Sequence, residues 1–374
     1  MKKVVIVGCG FAGATAMKKL SPFKSYVDVT LVDRKKTFDF LPELPDCLGR
    51  GIKPEYLTYS IEDMVKSAGF QFVNDEVISM DMQKQRFMTR KGKLDYDYAI
   101  IASGSETNFY GNDSLRRAAC KLDNISDTEA VAARLKEKEY AAYIIAGGGY
   151  TGAEVASNIS IFLEKRKRTS KIIIVERSNT ILTALPEWMK EYAYYNFKRL
   201  NVDIMTDSQI EKIEGSKVYL SGGKVFDDAL VVWTAGVKTA DFIQSLSVKK
   251  NSQGRVEVDE YLRINNNCYV VGDAAHVRQK GVFLRMAVQF AISQADRAVK
   301  NIIRDIKGKK PLAYRTIDLG YIIPMANNRS CGNTLGVNVS GYLATLLHFL
   351  MCFYRSYNLR KGFGIIKGFL TNGG

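Results

Sequence analysis

Three glycines fall within six residues, Gly8-Cys9-Gly10-Phe11-Ala12-Gly13, directly after the β-branched run Val4-Val5-Ile6-Val7. That spacing is chemistry for a phosphate. Gly8 permits the tight turn, Gly10 lets a pyrophosphate approach the backbone, and Gly13 lets a helix pack closely on the strand. The helical stretch that follows, through Met17 to Leu20, presents unpaired amides and a partial positive charge to the phosphates. Twenty residues beyond Gly13, the strand Val29-Thr30-Leu31-Val32 ends on Asp33, a carboxylate placed to bind ribose hydroxyls. Phe11, Ala12 and Arg34 are assigned to the same dinucleotide. A glycine pattern alone is a weak signal; strand, glycines, helix, strand and terminal acid in order are a strong one.

The pattern occurs twice. Tyr143-Ile144-Ile145-Ala146 reads as a strand and leads into Gly147-Gly148-Gly149-Tyr150-Thr151-Gly152 and a helix starting Ala153-Glu154-Val155-Ala156. The next strand, Lys171 to Val175, ends on Glu176. Gly147, Gly149, Tyr150, Thr151, Gly152 and Glu176 are the second set of nucleotide-binding residues. Two fingerprints in one chain imply two nucleotides. Glu176 repels the extra phosphate of NADPH and accepts hydrogen bonds from ribose, which favours NADH, although Arg177 beside it is of the type that accommodates that phosphate. The competing reading of Glu176 is a surface acid at a strand end.

The elements that must position these loops are buried parallel strands alternating with helices, so the class is α/β. At 374 residues, with 46% hydrophobic and 25% charged residues, the chain supports more than one core and is not of disordered composition. A net charge of +15 suits anionic cofactors or an anionic membrane surface. No nucleic acid partner is expected, because no binding module accompanies the charge; Glu164-Lys165-Arg166-Lys167-Arg168 reads as the solvated end of a helix. The six cysteines lie no closer than 21 residues apart and there are two histidines, His276 and His348, so neither a zinc-type spacing nor a clustered metal site is expected. The chain opens on a strand without the regions of a signal peptide, which suggests a cytoplasmic protein with reduced thiols.

Three further segments carry a resemblance. Tyr98-Ala99-Ile100-Ile101-Ala102-Ser103-Gly104-Ser105 resembles the strand and turn leaving the FAD domain of disulfide-reductase-like flavoproteins with two dinucleotide domains. Val231-Val232-Trp233-Thr234-Ala235-Gly236-Val237 resembles the return from their NAD domain, and Tyr269-Val270-Val271-Gly272-Asp273-Ala274-Ala275 resembles their second FAD motif. Within that group the chain most resembles the type II, non-proton-pumping NADH:quinone oxidoreductases. The segments that carry this are Leu41-Pro42-Glu43-Leu44-Pro45, the linker helix around Asp123–Ala130, Arg285–Gln294 along the flavin and quinone pocket, and a strand at Tyr314–Tyr321.

The resemblance implies FAD and NADH as cofactors and two Rossmann-like domains, the FAD domain interrupted by an inserted NAD(P)H domain. The division expected is 1–112 and 241–330 for FAD, 113–240 for NADH, and 331–374 for a C-terminal amphipathic membrane-association or dimer segment. It implies cofactor contacts from Ala102, Ser103, Gly104, Ala235, Gly236, Gly272, Asp273 (on the ribityl chain) and Ala287, and catalytic roles for Glu154, Gln289 and Ser293. Glu154 matches the family's Gly-x-Glu on the nicotinamide side; the alternative is an acid in the first turn of a helix, favouring its dipole. A helix beginning near Met286 would stabilise charge at the flavin's N1–O2 edge, and quinone would be reduced near Gln289, Ile292 and Ser293. The family's flavin segment reads Gln-x-Ala-x-Gln; here Ser293 takes the second glutamine position and Gln294 follows it.

Sulfide:quinone oxidoreductases resemble the chain next best, but their chemistry needs a redox cysteine pair. Cys331 is the one candidate for handling sulfur, against the plainer reading of a buried structural cysteine; Cys120 is expected in the linker helix. A soluble NADH:ferredoxin-type reductase is a further alternative, and a flavin-bearing sensor without turnover shares every motif. After Asp318 the chain has no Asp or Glu but five cations, around the apolar run Gly341–Tyr354, which at 14 residues is short for a spanning helix. It suits a helix lying monotopically in the headgroup layer of an anionic membrane, on the cytoplasmic face of the cell membrane. The competing use is a buried helix closing a homodimer or a core. His348 reads as packed or interfacial.

Overall fold

The structure is a computed structural model that describes residues 1–372; Gly373 and Gly374, the end of the expected C-terminal segment, lie outside the described residues. The chain divides into two compact units. The first comprises Met1–Phe38, Tyr59–Glu106 and Val237–Asp318; the second comprises Asp39–Thr58, Thr107–Gly236 and Leu319–Gly374. Residues 39–58 and 319–330, expected in the FAD domain, thus group with the second unit, as do residues 331–372, expected to form a separate C-terminal segment.

In the first unit a six-stranded sheet runs in the order Arg263–Asn265, Cys268–Val270, Tyr98–Ile101, Lys2–Val7, Val27–Asp33, Gln71–Asn74. Every pairing is parallel except the Arg263–Asn265 edge. Val4 to Val7 are buried, as a strand covered on both faces requires. The helix Phe11–Leu20 can sit close because it is rich in Gly13, Ala12, Ala14 and Ala16, all buried, and Lys18 and Lys19 complement the dipole in its last turn. It packs against the helix Val288–Ile306, whose buried Phe290, Ala291, Gln294, Ala295, Ala298 and Ile302 recur at helical spacing.

In the second unit a four-stranded parallel sheet runs Val202–Met205, Lys171–Val175, Ala142–Ala146, Ala229–Trp233. Alternate residues divide between two cores: Tyr143, Ile145, Ile172, Ile174 and Val232 face one, Ile144, Ile173, Val175 and Val231 the other. The first core also takes in Ile323, Met325 and Cys331, so the C-terminal strands Gly320–Ile323 and Ser330–Thr334 share the core of the nucleotide-binding sheet. The helices Gly341–Arg355 and Leu359–Asn372 follow.

Two local expectations are corrected. Cys120 lies between the helices Asp113–Ala118 and Ile125–Glu137, not inside one, because its backbone bonds to Val231 and Trp233 at 2.9 and 2.7 Å. The strand expected at 314–321 begins only at Gly320; residue 314 bonds instead to the Glu260 carbonyl, and residue 316 to the Gln279 side chain.

Candidate functional site

The two glycine loops fold alike. Gly8 (φ +96°) and Gly147 (φ +102°) both adopt backbone that favours glycine. Their amides donate to Val32 and Val175 carbonyls, each at 2.8 Å. A Cβ on Gly13 would stand 1.8 Å from the Gly8 carbonyl oxygen, and one on Gly152 would stand 2.0 Å from that of Gly147. By contrast Gly10 and Gly149, the extended caps of the two helices, have open space where a Cβ would be. The loops are therefore closed where strand meets helix and open where a pyrophosphate must approach.

The acids at the strand ends are tied to the loops in the same way. Asp33 accepts from the Cys9 amide at 2.7 Å and the Lys35 amide at 2.8 Å. Glu176 accepts from the Gly148 amide at 2.7 Å and the Ser178 amide at 2.8 Å. A carboxylate has about four acceptor sites, so each keeps capacity for a ribose. The neighbours differ. Arg34 is held by Glu106 at 2.8 Å, whereas Arg177 is exposed and has no ion pair among the described residues.

Beside the first loop lies a cleft of about 330 Å³, lined by Gly8, Asp33, Arg34, Ser103 and Glu106 among others. The Ser103 hydroxyl is buried without a hydrogen-bond partner among the described residues, Gly104 has φ +67°, and the Gly8 turn abuts Ala102. Asp273 is half-buried, its pKa raised by burial, and accepts from Ser105 at 3.2 Å. These residues fit a dinucleotide whose ribityl chain needs an acid. Beside the second loop is a cleft of about 660 Å³, lined by Gly147, Gly149, Glu176, Arg177, Trp233, Ala235 and Gly236, with Phe109 and Tyr110. Trp233 fixes its floor by donating to the Asn108 and Ala235 carbonyls at 3.0 and 2.8 Å. Tyr150 and Thr151 open the helix at its edge.

The expected catalytic residues are dispersed. Gln289 donates to Asp318 at 2.9 Å, and Arg285 pairs with the same carboxylate. Ser293 hydrogen-bonds to the Tyr314 hydroxyl at 2.8 Å. These two are i and i+4 on one face of the helix, which Ala287 caps; the helix itself starts at Val288. Glu154 is not among the residues lining the second cleft. It sits in the second turn of its helix, since no acid occupies the first, so the dipole explanation for it falls. Burial, then the charges of Asp46 and Glu43, push its carboxyl well above the usual range.

Two supporting residues have roles that the sequence did not assign. Gln294, buried, accepts from the Gly272 amide at 2.7 Å and so fixes the second FAD-type motif. Its signal was its phase: it lies on the inner face of a helix whose outer face carries 289 and 293. Arg255, buried, donates to the carbonyls of Asp273 and Ala275 at 3.1 and 2.6 Å; no spacing announces it. Cys331 is fully buried, and burial pushes its thiol up to about 12.

The sequence matches the pyridine nucleotide-disulphide oxidoreductase family over residues 2–301. The chain belongs to that family of oxidoreductases. It is 26% identical over 373 residues to the demethylphylloquinone reductase NdbB of Synechocystis sp., covering 94% of this chain and 92% of that one. It is 23% identical over 380 residues to the type II NADH:quinone oxidoreductase of Staphylococcus aureus, covering 92% and 93%. Its fold is that of NDH2 from Plasmodium falciparum, solved in complex with NADH, at TM-score 0.86 and 18% identity over 99% of this chain and 98% of that one. The sulfide:quinone oxidoreductase of Aquifex aeolicus is similar at TM-score 0.80 and 18% identity, over 97% and 92%.

Proposed function

We propose that this oxidoreductase of the pyridine nucleotide-disulphide family is an FAD-dependent NADH:quinone oxidoreductase that pumps no protons. The observation that carries the reading is the duplicated loop: both fingerprints keep the tight turn, the open cap and an amide-bound acid. A sulfide-driven enzyme has no use for a second intact nucleotide site, and burial holds the thiol of Cys331 protonated.

Bound FAD would supply the hydride-accepting and two-electron-donating chemistry between NADH and the quinone. The chain supplies position and electrostatics. The Gly10-capped helix and the amides of its loop take the FAD pyrophosphate, Asp33 a ribose, and Ser103 and Asp273 the inner part of the cofactor. Arg255 and Gln294 hold the Asp273 turn in shape. The Gly149-capped helix and Glu176 take NADH, and the negative charge of Glu176 disfavours the 2′-phosphate of NADPH. The amides opening the helix at Val288 would favour negative charge on a bound flavin, and Gln289 and Ser293 are the residues that would border the acceptor.

Quinones reside in lipid, and the C-terminal segment supports a monotopic place on an anionic membrane at the cytoplasmic face. Tyr342, Leu343, Leu350 and Tyr354 are exposed on the helix Gly341–Arg355, and Leu359, Phe363 and Leu370 on the helix Leu359–Asn372. Arg355, Arg360, Lys361 and Lys367 accompany them. Among the described residues no helix is long and apolar enough to cross a membrane. The same apolar surface would serve a homodimer.

The test is anaerobic. Purified, flavin-loaded protein is mixed with NADH, NADPH or sulfide, and a soluble quinone analogue is added to each reduced sample. NADH bleaching the flavin and quinone restoring it is the expected result. Bleaching by sulfide and not by NADH would overturn the reading.

A further inference from the structure

Away from both glycine loops, the second unit buries a set of donor atoms that its nucleotide chemistry does not use. Glu43 closes the short turn Leu41–Glu43 and is fully buried. His348 and Cys352 lie four residues apart on the helix Gly341–Arg355, hence on one face of it. The imidazole Nε2 is 2.8 Å from Glu43 Oε1, and the Cys352 sulfur is 3.6 Å from that same nitrogen. One donor atom from each residue lies within 4.8 Å of the others.

We propose that Glu43, His348 and Cys352 form a binding site for a divalent cation of borderline softness, with zinc the best match. Thiolate, imidazole and carboxylate together are a zinc donor set. With zinc–sulfur and zinc–nitrogen bonds of about 2.3 and 2.0 Å, a tetrahedral edge between sulfur and nitrogen is roughly 3.5 Å. The sulfur and nitrogen already stand at that separation. The carboxylate oxygen need retreat from the imidazole by only about 0.5 Å to make an edge of the same kind. Two ligands at i and i+4 on a helix with a third from a distant turn is the arrangement by which a helix presents paired ligands to a metal.

The electrostatics point the same way. Asp46 next to the site has its own cation: Arg50 Nε lies 2.9 Å from it, and the guanidinium is otherwise spent on the Asn328 side chain and the Met325 carbonyl, both at 2.8 Å. Among the described residues Glu43 pairs with no arginine or lysine. Its Oε2 is buried without a hydrogen-bond partner among the described residues, an expense that a metal ion would remove. A cation bound between these groups would ionise the Cys352 thiol. Binding displaces the thiol proton to solvent, and the charges of carboxylate and thiolate then balance a dication. Three protein ligands leave a fourth position for water, Asp46 or Glu154, the acids whose charges reach this group. Such an ion would pin the C-terminal helix to the Leu41–Glu43 turn, stitching residues 305 positions apart.

The flavin-loaded full chain is equilibrated with zinc, freed of excess, and its zinc counted per flavin. Cobalt is loaded in parallel and its ligand-field bands are read at the red end, beyond the oxidised flavin. About one metal per flavin is expected for the protein itself and for Cys120→Ser, with roughly tenfold or greater loss of affinity in Cys352→Ser, His348→Ala and Glu43→Gln. Flavin content reports whether each variant has folded. Should Cys352→Ser fail to fold, the unmodified protein and His348→Gln decide the matter. No stoichiometric metal in the unmodified protein, or equal metal in the folded variants, overturns the proposal.

Discussion

The two glycine loops are near copies in geometry, yet their surroundings differ. Around the first, Arg34 is held by Glu106, the Gly272 turn by Gln294 and the Asp273 carbonyl by Arg255. Around the second, the cleft is about 660 Å³ against about 330 Å³, and Arg177 stands exposed and unpaired among the described residues. The same fingerprint can thus serve a resident cofactor or one that leaves each turnover. What separates the two is the size of the cleft and the pairing of the arginine beside the acid, not the loop.

The largest effects should come from closing the loops themselves. Gly13→Ala places a methyl against the Gly8 carbonyl, where overpacking costs about 1–3 kcal/mol or more. That variant is expected to purify without flavin, as the absorbance spectrum would report. Removing the acids should divide the sites next. Losing the charged acceptor of Glu176 in Glu176→Gln costs about 1.5–3 kcal/mol, so KM for NADH should rise roughly tenfold to a hundredfold while that for NADPH falls. Steady-state assays with both donors measure it, and unchanged donor preference would count against the assignment of Glu176.

Smaller effects should mark the supports. Gln294→Leu strands the Gly272 amide without its acceptor, at about 1–3 kcal/mol, and is expected to lower Tm and speed flavin loss while leaving KM for NADH alone. Smallest is a pH effect. Burial, with the Arg255 charge, lowers the pKa of His276, which stacks on Phe283 at 3.8 Å. Because the unfolded chain then takes up the proton first, stability should fall as pH drops below about 6.5, and His276→Gln should blunt that fall in Tm.

The loops were legible because their rules are local: a glycine that cannot bear a Cβ, a strand before it and an acid after it occupy some thirty residues at each site. Gln289 and Ser293 were legible as positions but not as neighbours, since Asp318 and Tyr314 reach them from a stretch that forms no strand. The sequence of the tail suits a helix in the headgroup layer, with a buried helix closing a homodimer or a core as the competing use. One of its faces is exposed, but Ala344, Thr345, Phe349 and Cys352 on the other are buried, and the strands before it enter the core of the second unit. No periodicity could announce that Glu43 meets His348, because the fold alone brings them together.

On the proposed function, one loop keeps a flavin and the other admits NADH. Gly152→Ala tests it most directly, since a Cβ there meets the Gly147 carbonyl and disturbs only the second loop. The variant should retain a full complement of flavin that dithionite bleaches and NADH, under anaerobic mixing, does not. Bleaching by NADH at the unmodified rate, or loss of the flavin with the fold intact, would contradict it.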